Sequence, residues 1–231
     1  MKAISLPKKH VQTMAERANT LRAGVLGAND GILTVVGVLF SVAAATTNHF
    51  TIFIAGLADL LACAFSMASG EYASVSSQKY TEQSVVAVEA EQLKTNFAGA
   101  RQTVVDYYVD RGVTTATAGE IADELLEKDA LGTIIRVKYD LKQGHYMNPW
   151  AAAWSSLVSA ASGGIFPLVA MTFLPVNWQW PGTIIAVTFS VALTGFLSAK
   201  LGDGLVKQAM VRNIIIGLIT MAIHYGIGQI L

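Results

Sequence analysis

Five stretches of the chain stay apolar for about the 20 residues that a bilayer crossing needs. They run from Val25 to Ala45, Ile52 to Gly70, Trp150 to Leu174, Thr183 to Ala199 and Asn213 to Leu231; Pro167 interrupts the third. Between the second and third lies a polar stretch, Tyr72 to Asn148, too long to be a loop without secondary structure. From Tyr72 to Arg111 it holds no proline, and only Gly99 interrupts before Gly112, so the second crossing is expected to continue as one long helix. Thr117-Ala118-Gly119-Glu120 has the form of a capping box, with Ile121, Leu125 and Leu126 as an apolar stripe behind it. A further helix is expected from Ala130 to Gln143, with Gly144 near its end. The pattern predicts an all-α polytopic membrane protein of five transmembrane helices, with a cytosolic helical domain inserted between helices 2 and 3. Its segments are 1–24 (cytosolic), 25–71 (crossings one and two), 72–148 (cytosolic helices) and 149–231 (crossings three to five).

Charge placement gives this division a direction. All 16 basic residues precede the first crossing, lie in the long polar stretch, or sit between the fourth and fifth crossings as Lys200, Lys207 and Arg212. Five crossings put those three segments on one face, which the positive-inside rule makes cytosolic. The N-terminus is then inside and the C-terminus outside. Trp150 and Trp154, and on the other side Trp178 and Trp180, suit interfacial belts. The composition agrees: 53% of residues are hydrophobic and 14% charged, unlike a soluble domain. Zero formal net charge gives no reason to expect a nucleic-acid partner. The one cysteine, Cys63, lies inside an apolar run, so no disulfide framework is expected. The charged first 24 residues do not resemble a cleavable signal peptide.

Ionisable groups inside a membrane helix are costly and mark function by default. Asp30 lies in the first crossing and Asp59 in the middle of the second. Asp59, Cys63, Met67 and Glu71 follow at steps of four, each step drifting about 40° around the axis, so they form one slowly winding strip. All four can ligate a metal, and the sulfur groups favour a transition metal over Ca²⁺ or Mg²⁺. Ordinary packing is the commoner role of a methionine or cysteine. Glu71, Glu82 and Glu89 return to nearly the same helix face and could extend the strip as a capture surface, or form a solvated face. Ala23, Gly27 and Gly31 make a small-xxx-small face beside Asp30. Paired with its copy in a second subunit, this face would bring two Asp30 carboxylates together. One would keep its proton until a divalent cation replaced it, a route to metal–proton exchange. The same face could equally pack on another helix of its own chain. His224 in the fifth crossing is either a proton relay or a buried, hydrogen-bonded histidine. No phosphate loop, nucleophile elbow or H-E-x-x-H motif is present, so no enzyme is expected.

Leu21-Arg22-Ala23-Gly24-Val25-Leu26-Gly27-Ala28-Asn29-Asp30-Gly31, Ala55-Gly56-Leu57-Ala58-Asp59 and Ser66-Met67-Ala68-Ser69-Gly70-Glu71-Tyr72 resemble the vacuolar iron transporter family. Lys128-Asp129-Ala130-Leu131 and Asn148-Pro149-Trp150 look like its bacterial members. The resemblance implies a homodimer that moves Fe²⁺, and often Mn²⁺, out of the cytosol in exchange for protons. It matches the family's pathway acid to Asp30, and its acid and methionine eight residues apart to Asp59 and Met67. Plant-type members collect metal on paired Glu-x-x-Glu motifs. Those positions hold Glu89 and Gln92, then Ala100 and Thr103, here. The methionine and glutamate of the third cytosolic helix have no clear match between Ala130 and Gln143.

The function expected is a proton-coupled exporter of Fe²⁺ or Mn²⁺ in a bacterial plasma membrane. Its metal ligands would be Asp30, Asp59, Met67, Glu71, Glu82 and Glu89. The metal is cargo and no cofactor is implied; the partners are metal ions, protons, lipid and a second copy. A carrier of another small cation, or a non-transporting protein whose cytosolic helices bind metal or a partner, are the competing readings.

Overall fold

Residues 14–230 are described here from a computed structural model. Lys2, Lys8, Lys9 and His10 of the expected N-terminal segment lie outside the described residues. Among the described residues seven helices form: α1 (Met14–Ala45), α2 (His49–Thr95), α3 (Phe97–Val109), α4 (Thr115–Tyr139), α5 (Pro149–Phe173), α6 (Val176–Leu201) and α7 (Val206–Ile230). α1, α2, α5, α6 and α7 are long and apolar enough to cross a membrane. Over the described residues the chain is an all-helical, multi-pass membrane protein. Two compact units divide the described residues: 14–74 with 148–230, and 75–147.

In the first unit α1 is the central helix. Ile32, Val35, Val36, Leu39 and Phe40 are buried there against Ile52 and Leu60 of α2, Leu168 and Met171 of α5, Val187 and Val191 of α6, and Met221 of α7. The outer faces are apolar too: Phe65, Ile185 and Phe189 are 60–64% exposed. Bulky apolar side chains at such density suit acyl chains rather than water. α1 starts well before Val25, because Ala15-Glu16-Arg17-Ala18 and Leu21-Arg22-Ala23 are good helix formers despite their polarity. At α5, the Asn148 side chain accepts from the backbone N–H groups of Trp150 and Ala151, and Pro149 takes the first helical position, where no N–H is needed. Trp178 is exposed, while Trp180 is half-buried, its ring 4.8 Å from Phe40 and 5.5 Å from Tyr225.

The small-residue face of α1 is spent within its own chain. A Cβ on Gly27 would lie 2.6 Å from the Ser156 carbonyl oxygen, and one on Gly31 would strike the Ala160 carbonyl. α5 answers with its own glycines: a Cβ on Gly163 would come within 2.6 Å of the Ala28 carbonyl, and one on Gly164 within 2.7 Å of that of Gly31. Small residues let the two backbones touch, and dispersion over that close seam holds the pair. The intermolecular use of Ala23, Gly27 and Gly31 is therefore set aside in favour of packing on α5.

The second unit has its own core, made by Val104 and Val105 of α3 with Ala118, Ala122, Leu126 and Ile134 of α4. The single long helix expected through Arg111 is broken at Asn96. Its backbone is non-helical (φ −142°, ψ 61°) and its side chain accepts from the Gly99 N–H at 2.9 Å. Asparagine offers the backbone this local bond, so it starts a new helix instead of continuing the old one. The cap of α4 is Thr114, not Thr117: the Thr114 hydroxyl accepts from the Thr117 N–H, and the left-handed Gly112 (φ 88°) has already turned the chain. At Asp129 the helix kinks (φ −160°, ψ 84°), and the Asp129 carboxylate caps the second half by accepting from the Gly132 N–H at 2.9 Å. α4 ends at Tyr139, short of Gln143, because Asp140 adopts a left-handed cap (φ 53°).

Candidate metal path in the membrane helices

α1 and α2 bring two of the candidate acids into one neighbourhood. Asp59 on α2 is half-buried, and its Oδ2 atom is buried with no hydrogen-bond partner. The Thr34 side chain lies beside both Asp59 and Cys63, and Asp30 and Asp59 are both close enough for their charges to act on the Cys63 thiol. Thr34 also donates to the Asp30 carbonyl oxygen at 2.8 Å, which fixes its hydroxyl one turn from that acid. Asp30 itself is exposed on the surface of the first unit, while Met67 is half-buried one turn below Cys63 on the same strip. An orphan carboxylate oxygen inside a bilayer is expensive unless a cation, proton or donor visits it. Among the described residues no three carboxylate, cysteine or histidine groups of one chain gather as a metal centre.

Glu71 ends the strip and is only 8% exposed. Arg22 of α1 reaches it, Nη2 to Oε2 at 3.1 Å, while also donating to Asn19. Glu82 is half-buried and accepts from Gln78 at 3.0 Å. Glu89 is held by Lys138 and Tyr139 of α4. The His224 ring rests on α1 at Gly37, where a Cβ would come within 2.7 Å of it. Thr34, Arg22, Lys138 and Tyr139 were not singled out from the sequence. Thr34 carries a local signal, one turn after Asp30. The other three are partners across about fifty residues and carry none.

Among the described residues, five apolar helices, with Asp59 half-buried on one and Asp30 at the surface of another, define a polytopic helical membrane protein that carries carboxylates within its membrane segments. The VIT family model matches residues 21–229, and the chain belongs to that family. It is 35% identical over 222 residues to a vacuolar iron transporter of Acanthamoeba castellanii, covering 96% of this chain and 82% of that protein. It is 32% identical over 215 residues to vacuolar iron transporter homolog 1 of Oryza sativa subsp. japonica, covering 91% and 73%. It is 30% identical over 218 residues to vacuolar iron transporter homolog 3 of Arabidopsis thaliana, covering 94% and 86%.

Proposed function

We propose that this protein is a homodimeric, proton-coupled transporter that exports Fe²⁺ or Mn²⁺ from the cytosol, and that it has no enzymatic activity. The observation that carries the reading is the unpartnered Asp59 Oδ2 beside Thr34, with Cys63 in reach of the charges of both Asp59 and Asp30, on helices of a family whose named members include iron transporters. Cations gather near Glu71, pass to Met67, and bind Asp59 and Asp30. Protons from the far side then displace them. Among the described residues of one chain no three such ligands gather, and in this reading a second copy completes the site. With the glycine face of α1 occupied by α5, that copy meets the exposed side of α2, where Ala58, Ala62, Ser66 and Ser69 are small and open. The basic segments face the cytosol, here that of a bacterium, and the membrane is its plasma membrane.

The test is flux of Fe²⁺ and Mn²⁺ in proteoliposomes with an imposed pH gradient. Asp30→Ala and Met67→Ala are compared with wild type. Gradient-driven flux is expected in wild type and absent in Asp30→Ala protein that remains folded. Wild-type flux in Asp30→Ala would overturn the path. No flux of either metal through folded, dimeric protein would favour a carrier of another cation or a non-transporting protein.

A further inference from the structure

Glu89 sits in the second unit with 2% of its surface exposed. Both its oxygens accept from the Lys138 ammonium, at 2.9 Å each, and Oε1 also accepts from the Tyr139 hydroxyl at 2.8 Å. The ammonium reaches Gln92 Oε1 at 3.5 Å. Beside this cluster is a cavity of about 180 Å³, lined by Gln92, Asn96 and Thr103 as well as Glu89 and Lys138. A carboxylate, two amide oxygens and a hydroxyl are the donor types a hard or borderline divalent cation takes. Yet the carboxylate already carries a full compensating charge. A buried carboxylate without one loses its hydration uncompensated, so the fold favours a cation beside it. α4 supplies it: the left-handed turn at Asp140 ends the helix just after Lys138 and Tyr139, leaving both on its last turn. A divalent ion at Glu89 would have to displace the ammonium, breaking its bonds to both oxygens, and would then sit beside a like charge.

We propose that Lys138 is a tethered cation that fills the Glu89 centre in place of a metal ion, so that the second unit folds and holds its shape without divalent metal, and that removing the Lys138 charge uncovers a divalent-cation site made by Glu89, Gln92, Asn96 and Thr103. This deepens the transporter reading by leaving cargo capture to α1 and the membrane part of α2. It stands or fails separately from that reading, because the two units are read by different peptides.

The experiment is hydrogen–deuterium exchange of the full-length protein in detergent, with and without Mn²⁺, following peptides from residues 86–103 and 134–141 and, separately, from residues 55–71. In wild type the ion is expected to leave the first two peptides unchanged. Slowed exchange there in wild type would overturn the proposal. In Lys138→Gln the same peptides exchange faster without metal and are protected about 100-fold when Mn²⁺ is present at about 100 times its Kd. Lys138→Glu places two carboxylates at the centre, so this unit melts early without metal and recovers with it. A Lys138→Gln protein and a Lys138→Glu protein both indifferent to Mn²⁺ would also overturn it. The response of residues 55–71 reports on the membrane path alone.

Discussion

Gly31→Ala adds a single methyl group at the tightest point of the α1–α5 seam. Its Cβ would lie 2.8 Å from the Ala160 carbonyl carbon and 2.9 Å from the Ala160 Cα, both backbone atoms that cannot swing aside. Carbon pairs rest at about 3.5–4.0 Å, so the two helices must part locally by about 0.7–1 Å. A gap of that size forfeits roughly a quarter to a half of each affected contact, and forced overpacking costs about 1–3 kcal/mol. The backbone-on-backbone contact puts this case near the upper end. Alanine returns about 1 kcal/mol of helix propensity. The net expected loss is roughly 2 kcal/mol, or a fall in Tm of about 4–8 °C for a chain of this size. Gly226→Ala is the control. Nothing lies within 4 Å of its Cβ position, so only the propensity gain applies and Tm holds or rises. Tryptophan fluorescence melts in detergent report on the first unit, since all four tryptophans lie in it. A Gly31→Ala protein that melts at or above wild type would refute the reasoning. So would one that keeps its Tm but has a smaller assembled mass than wild type by light scattering, since the face would then join two chains.

Arg22→Ala leaves the buried Glu71 carboxylate without its guanidinium partner, at a cost of about 1–2 kcal/mol, the lower part of the usual range because Arg22 is half-exposed. Adding Glu71→Gln should restore most of the lost Tm; a double mutant as unstable as the sum of the singles would show that the two groups are not coupled. In the second unit the Arg101 guanidinium, hydrogen-bonded to Asp123, holds that carboxyl below the usual carboxylate range. Its contribution is therefore present above the ordinary Asp value and fades as pH falls through the depressed one. The pair lies at the solvent surface, so the expected effect is small: wild type loses slightly more stability on acidification than Asp123→Asn, and the difference shrinks in high salt.

The separation between what was legible in the chain and what was not follows the range of the forces. The five crossings were readable because a bilayer imposes length and apolarity on each segment by itself, and α5 begins within a residue of its expected start because Asn148-Pro149 is a local signal. The boundary near Ala130 was readable for the same reason, appearing as the Asp129 kink. The break at Asn96 was local too, but an asparagine cap inside a proline-free helical run competes with helix continuation, and pattern alone does not weigh the two. Asp30 and Asp59 stood out because charge in an apolar run is conspicuous. Their neighbours did not: Arg22 finds Glu71, and Lys138 finds Glu89, each across 49 residues. Helix periodicity reaches four residues and fixes which face a side chain takes. It cannot say which helix meets that face, so Ala23, Gly27 and Gly31 announced a close approach while only the packed bundle made α5 the helix that approaches.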